Sequence, residues 1–414
     1  MNSRQFDIAI LGNTLSARIA AALLAKNGQK VILFAEPAAP EPNWFFSSIF
    51  LEKLLGSLGG RACFTSPRPF QVISPSSRVT VHGAATLEEE LAREFGRVSV
   101  DLLAMLDSLR ELGGRLNELL WENKGLPWPG LKDSVRFRSL CLRRNISRAG
   151  LDLPLQTKLD AFAPQPREFL TNLFQGLSLL PIEVLSVAEG AQIWTHACRQ
   201  ENLAEPDFST LLEKRLLQFH GVVESPEKLE KLDFRGTTFT GGQIRDRGAF
   251  QARWLLIGDD LTGRGLLPET LRAGPERPAV SNVETTGLDR QISPLLEKQV
   301  IVGGEHPMRL SLDENGAGKV SAYGVVSEQS FRRQLEPALP FASYGLKPRT
   351  GSVSRPPGER GRQSAGLFSL SLILGGNVLS ADSSALVPAL GPPGAGLLGW
   401  TLANRLGTVG KEKK

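Results

Sequence analysis

The residues best suited to chemistry lie near the start of the chain. They are Gly12, Asn13, Thr14, Leu15, Ser16 and Ala17, between a short apolar run and a helical one. Asp7 to Leu11 reads as a buried strand. The six residues make a tight turn into a helix that reaches about Lys26 and stops at Gly28. Val31 to Phe34 reads as a second strand ending at Glu36. A helix starting at such a turn aims unpaired N–H groups and the positive end of its dipole at an anion. Gly12 permits the turn, and Ala17 lets the helix lie close to the sheet. Glu36 stands where a carboxylate can accept hydrogen bonds from a ribose. Together these residues predict a dinucleotide-binding β-α-β unit. Thr14 occupies the middle position, where that fingerprint has a second glycine. From this stretch alone, a β-α-β unit that meets no nucleotide is the alternative.

Two further stretches could meet a phosphate. Gly59-Gly60-Arg61 follows a helical pattern over Trp44 to Leu58. On a loop it would present backbone and a guanidinium; the alternative is a helix C-cap followed by a surface arginine. Gly391 to Gly396 leads into the helical run Leu397 to Ala403, again a glycine-rich entry to a helix N-terminus. No nucleophile–base pair stands out, so no catalytic residue is assigned. His82, His196, His220 and His306 read as structural or surface residues, and their spacing argues against a metal site. Cys63, Cys141 and Cys198 are widely spaced and odd in number, which suggests a reducing compartment and no disulfide framework.

Positioning these residues requires a large scaffold. The 414 residues exceed one ordinary core, and a composition of 41% hydrophobic and 22% charged residues fits a folded soluble protein. The net charge of +5 comes without an arginine-rich block or aromatic-basic alternation, so no nucleic-acid partner is expected. The N-terminal apolar run is committed to the β-α-β unit, so no signal peptide is expected. The apolar stretch from Leu367 to Trp400 is interrupted by Asn377, Asp382, prolines and glycines, too often for a membrane span. A cytoplasmic location follows, and peripheral contact with a membrane is compatible with it.

Between these stretches the pattern changes. Phe70 to Ile73 and Arg78 to His82 read as a hairpin. Thr86 and Glu89 form a capping-box pair, and a series of helices follows, reaching about Cys198. Arg136 to Arg148 is locally basic and reads as a solvated helix face. Phe208 to His220 predicts a helix, Gly221-Val222-Val223 a strand, and Leu229 to Gly258 a meander turning at Gly241-Gly242. Strands are expected at Gln299 to Val302 and Met308 to Leu312, and a helix from Ser330 that ends before Pro337. Leu372-Ile373-Leu374 reads as a buried strand closed by Gly375-Gly376-Asn377.

Three separated pieces fall in the order used by flavoprotein oxidoreductases of the amine oxidase and phytoene desaturase group. They are the opening β-α-β unit, HGVVESPEKLEKL with its meander to LLIG, and LGGN…GPPGAGLLGWTLA. The chain resembles that group. The resemblance implies an α/β fold: a Rossmann-like FAD-binding domain assembled from three segments (1–65, 206–265 and 361–414), with an interleaved α+β substrate domain (66–205, mostly helical, and 266–360). It implies FAD as cofactor, held by Gly12, Asn13, Thr14, Leu15, Ser16, Ala17, Glu36, Arg61 and Gly258. Leu229 falls at a position whose backbone meets the adenine. Gly376 and Asn377 match a Gly-Asp pair, with Asn377 in place of the acid. Pro393, Gly394 and Ala395 match a Pro-Gly-Ala beside the isoalloxazine ring. Gly59-Gly60-Arg61 comes later after Glu36 than the group's Gly-Gly-Arg does. The activity implied is hydride transfer from an apolar or bulky small-molecule substrate to flavin N5. A non-catalytic protein of the same fold, like the Rab GDP-dissociation inhibitors, and an NAD(P)-dependent dehydrogenase are the alternatives. Substrate, electron acceptor and oligomeric state are not read from the sequence.

Overall fold

The computed structural model describes residues 4–37, 46–59, 64–65, 69–82, 84–199, 202–203, 205–258, 266–268, 271, 280–286, 296–312, 318–324, 326–338, 347–350, 367–368 and 370–409. Two sheets organise them. The first has eight strands, with the order Ile373–Gly375, Val378–Ser380, Gly248–Ile257, Arg4–Leu11, Val31–Phe34, Val222–Glu224 along its main path. From Val378–Ser380 to Val222–Glu224 every neighbouring pair is parallel. Leu229–Arg235 and Thr238–Ile244 form an antiparallel meander that joins at Gly248–Ile257. The sheet therefore draws strands from three separated parts of the chain.

Alternation along these strands decides which layer each side chain enters. Ile8, Ile10, Val31, Leu33, Leu256 and Leu379 face one core, shared with the helices. Ala9, Leu11, Ile32, Phe34, Leu255, Ile257 and Val378 face another, shared with Phe239, Ile244 and Phe250 of the meander region. On the helical side, Leu15–Lys26 lies against Gly391–Val409, whose Gly399 removes a side chain where a Cβ would sit 2.5 Å from Ile19 Cγ2. Gly407 meets Asn27 farther along, so the two helices run in the same direction. Ile49–Leu58 joins them: Leu51 packs on Gly396 near one end, and the Ser57 carbonyl accepts from Lys26 near the other. Three helix N-termini thus point to one end of the layer.

The second sheet has seven strands, ordered Lys347–Thr350, Val280–Thr286, Gly318–Tyr323, Met308–Leu312, Gln299–Val302, Phe70–Ile73, Arg78–Val81. Gln299–Val302 pairs in parallel with Phe70–Ile73, which stitches two distant parts of the chain together. Val300, Val302, Leu310, Val320, Phe331 and Leu335 form its core, with the helix Glu328–Ala338 on that face. The helices Ser99–Glu122 and Val187–Ala197 lie close together because Gly113 has no side chain: a Cβ there would be 2.5 Å from the Ala191 carbonyl oxygen. The molecule is the interleaved α/β architecture expected from the three-segment layout.

Local expectations fail where glycine and proline mislead. Gly241 and Gly242 do not turn the chain but sit inside Thr238–Ile244. A Cβ at Gly241 would be 2.1 Å from the Phe250 carbonyl oxygen, so these glycines serve close strand approach. Pro337 lies inside the last turn of Glu328–Ala338 rather than beyond it. The helix expected from Thr86 starts at Ala84. Ile373–Gly375 is an edge strand with Ile373 38% exposed; the buried strand is Val378–Ser380, beyond the Gly376-Asn377 turn.

Candidate functional site

The C-terminal ends of three adjacent parallel strands build one edge. Gly12 N donates to Phe34 O at 2.9 Å, Gly258 N to Leu11 O at 2.6 Å, and Ala381 N to Ile257 O at 2.7 Å. Gly12 has φ +108°, which a side chain would strain. Thr14 caps the helix Leu15–Lys26 without bonding to it, and Thr14 Oγ1 instead donates to the Ala381 carbonyl at 3.1 Å. Ser16 Oγ donates to the same carbonyl at 2.5 Å and accepts from Ser383 N at 3.3 Å. A Cβ on Gly258 would meet Ala17 Cβ at 2.5 Å and Thr14 Oγ1 at 2.8 Å, so that glycine admits both side chains. With Thr14 turned inward, the N–H groups of Leu15, Ser16 and Ala17 have no partner among the described residues.

Asp382, absent from the expected site residues, lies on this edge. It is 4% exposed and caps Ser383–Leu386, accepting from Ser384 N at 3.0 Å and Ala385 N at 3.2 Å. Its signal was present: Ser380-Ala381-Asp382 ends the buried strand, as Gly258 ends the neighbouring one. The pair expected to carry this role, Gly376-Asn377, stands at the opposite end of the same strand. Four residue steps of extended chain separate Asn377 from Ala381, roughly 13 Å. Asn377 Oδ1 accepts from Phe239 N at 2.7 Å, and Nδ2 donates to Phe239 O at 2.8 Å and Arg253 O at 2.6 Å. Asn377 is a clasp on the meander. The buried strand expected at Leu372 to Leu374 lies before the Gly376-Asn377 turn, and the buried parallel strand Val378–Ser380 begins only after it.

Arg18 is a second residue on this edge that no sequence motif marks. It is 4% exposed, one turn into the helix, and Nη2 donates to Asn13 Oδ1 at 3.0 Å and to the Glu36 carbonyl. Nη1 lies 3.6 Å from Glu213. Burial lowers its pKa and Glu213 partly restores it. Its only signal in the sequence is a cation ahead of the apolar run Ile19 to Ala25. Glu36 itself is exposed at the end of Val31–Phe34. Alongside it, Glu224 ends the next strand with its carboxylate on Arg247 and 3.5 Å from Lys228. Leu229, one short turn later, is 6% exposed in the meander core.

Gly391–Val409 brings Pro393, Gly394 and Ala395 to the same end as buried residues of its first turns. Gly394 packs on Val387 and Leu390. Pro392 and Pro393 carry no N–H, so this entrance offers its dipole but fewer donors than its glycines suggest. Gly59 ends Ile49–Leu58 with φ +73°, near Lys26 and far from Gly12, so it is a C-cap. Gly60 and Arg61, the rest of that expected phosphate contact, lie outside the described residues. The N-terminus of Ile49–Leu58, with buried Ser47 and Ser48, occupies the right end instead.

Of the histidines, His82 and His220 are exposed and His306 is half-buried. His196 is 4% exposed, and burial, aided by Arg199, lowers its pKa to about 3. Cys141 is buried, Cys198 is half-buried, and both are free thiols; Cys63 lies outside the described residues. Among the described residues there is no cluster able to hold a metal ion, and no helix long and apolar enough to cross a membrane.

No family model and no curated protein matches the sequence. Solved structures do match in shape. A cyclohexylamine oxidase from Brevibacterium oxydans IH-35A superposes with TM-score 0.56 at 15% identity, covering 98% of this chain and 99% of that one. A putrescine oxidase bound to putrescine gives 0.57 at 13% identity, covering 99% and 100%. A geranylgeranyl bacteriochlorophyll reductase-like protein from Thermoplasma acidophilum gives 0.51 at 9% identity, covering 100% of this chain and 80% of that one. At these identities the likeness is one of fold: this chain has the whole fold of these amine oxidases, from end to end.

Proposed function

We propose that the protein is an FAD-dependent oxidoreductase acting on an apolar or bulky small molecule. The observation that carries this reading is the edge formed by Gly12, Gly258 and Ala381. There the N–H groups of Leu15, Ser16 and Ala17 have no partner among the described residues, while the Thr14 hydroxyl is bonded to the Ala381 carbonyl. This supports a reading in which Thr14, in place of the second glycine, leaves those donors to an anion, so that the residues fit a dinucleotide. The flavin, when bound, supplies the two-electron acceptor for a C–H bond. In this reading the Leu15–Lys26 N-terminus holds the pyrophosphate and Glu36 the ribose. Asp382 takes the acidic position assigned by sequence to Asn377, and the Gly391–Val409 dipole faces the ring. The second sheet and its helices would enclose the substrate. The putrescine and cyclohexylamine oxidases of this fold make amines one substrate class to screen beside isoprenoid-like compounds.

The test is the visible spectrum of the purified protein, before and after reconstitution with FAD. A two-band flavin spectrum near one flavin per chain supports the reading. A colourless protein that takes up neither FAD nor NAD(P)H overturns it in favour of a binding protein on an oxidoreductase fold. Uptake of nicotinamide alone would make it a dehydrogenase.

A further inference from the structure

The helix Leu131–Arg143 is amphipathic twice over. Its buried face is Phe137, Leu140 and Cys141. Its solvent apex is also apolar: Leu131 is 83% exposed, Val135 59% and Leu142 77%. At about 100° per residue these three fall within about 40° of one another, opposite the buried face. Isolated exposed leucines are ordinary, but three in one stripe on one helix are not.

The charges around this stripe share one sign. The helix carries Lys132, Arg136, Arg138 and Arg143 against a single acid, Asp133. On the wheel Arg138 flanks one side of the stripe, and Lys132, Arg143 and Arg136 the other. Asp133 turns toward the protein, 2.8 Å from Arg405. Arg136 reaches the Glu122 carbonyl at 3.3 Å and Arg143 the Glu122 carboxylate at 3.1 Å. Lys132 and Arg138 have no ion-pair partner among the described residues. A convex ridge of Leu, Val and Leu between rows of cations matches the boundary of an anionic bilayer, where apolar side chains enter the acyl region and cations meet lipid phosphates.

We propose that the Leu131–Arg143 helix is a docking surface for an anionic lipid bilayer. The inference stands on this helix and not on the FAD reading. The helix lies by Arg405, toward the end of Gly391–Val409 away from the Gly12 turn, so docking leaves the cofactor edge uncovered.

The test is sedimentation of the full chain with vesicles of phosphatidylcholine, with and without phosphatidylglycerol. Binding is expected only to the anionic vesicles and weakens with salt. The triple variant Leu131→Ser, Val135→Ser, Leu142→Ser should lower the partition coefficient by at least about tenfold. Lys132→Gln and Arg138→Gln should each lower it about fivefold. All these side chains are exposed, so the variants should keep the parent's thermal midpoint, a reading that separates lost docking from lost folding. Absence of binding to anionic vesicles, or equal binding by the folded triple variant, overturns the proposal. So does a concentration-dependent dimer that the triple variant abolishes, because the stripe would then be covered by a second copy.

Discussion

Arg18 carries a charge into the helix Leu15–Lys26 and ties together the Asn13 side chain and the Glu36 backbone, two walls of the nucleotide seat in the proposed reading. Removing it should loosen both walls without burying a lone acid, because Glu213 is 39% exposed. Arg18→Met is expected to weaken FAD binding about tenfold, or about 1.4 kcal/mol, and Arg18→Lys to recover part of it. Flavin fluorescence titration checks this, and an unchanged affinity sinks the role. The acid assignment separates two residues. Asp382→Ala removes a helix cap and should cost about 1 kcal/mol of stability as well as cofactor affinity. Asn377→Asp, which would restore an acid at the sequence-assigned position, should not improve FAD binding. It places an acceptor against the Phe239 and Arg253 carbonyls and should cost about 1–3 kcal/mol in urea unfolding.

At the scale of elements, three parallel helices aim their N-termini at one edge, and small residues set their spacing. Gly399→Ala would place a Cβ 2.5 Å from Ile19 Cγ2 and 2.9 Å from the Ser16 carbonyl oxygen. Overpacking there is expected to cost about 1–3 kcal/mol and to lower FAD affinity by moving the Leu15–Lys26 N-terminus. Gly56→Ala is the contrasting case: nothing lies within 4 Å of its Cβ, so helix propensity should stabilise the chain by about 0.5–1 kcal/mol. Urea denaturation of the pair tests whether glycine serves packing at one site and nothing at the other. Helix existence was legible from periodicity. The strand order Val378–Ser380, Gly248–Ile257, Arg4–Leu11 was not, because a local pattern does not say which of two short apolar runs pairs in parallel.

Among the described residues, one core runs through both the helical face of the first sheet and the helices between Ala84 and Ala197, and His196 is buried on the last of these. A histidine held neutral when folded titrates near 6.5 when unfolded. The unfolded chain therefore binds a proton that the folded chain refuses. Stability is full above about pH 6.5 and should fall by roughly 1.4 kcal/mol per pH unit toward about pH 3. His196→Gln should flatten that slope in pH-dependent urea unfolding, and an unaltered slope would remove His196 as the cause.

The sequence by itself determined the opening β-α-β unit, the three-segment plan and the placing of Gly12, Thr14, Ser16, Ala17 and Gly258 at a turn or a strand exit. Each of these is a local matter of turn geometry, helix periodicity or a small residue at a strand exit. Tertiary structure alone decided that Thr14 turns inward to Ala381, that Asp382 rather than Asn377 stands at the edge, and that Gly59 lies at the far end of its helix. Those outcomes depend on strand register and helix direction. Both are set by which distant surfaces bury together, and no window of the sequence contains both partners.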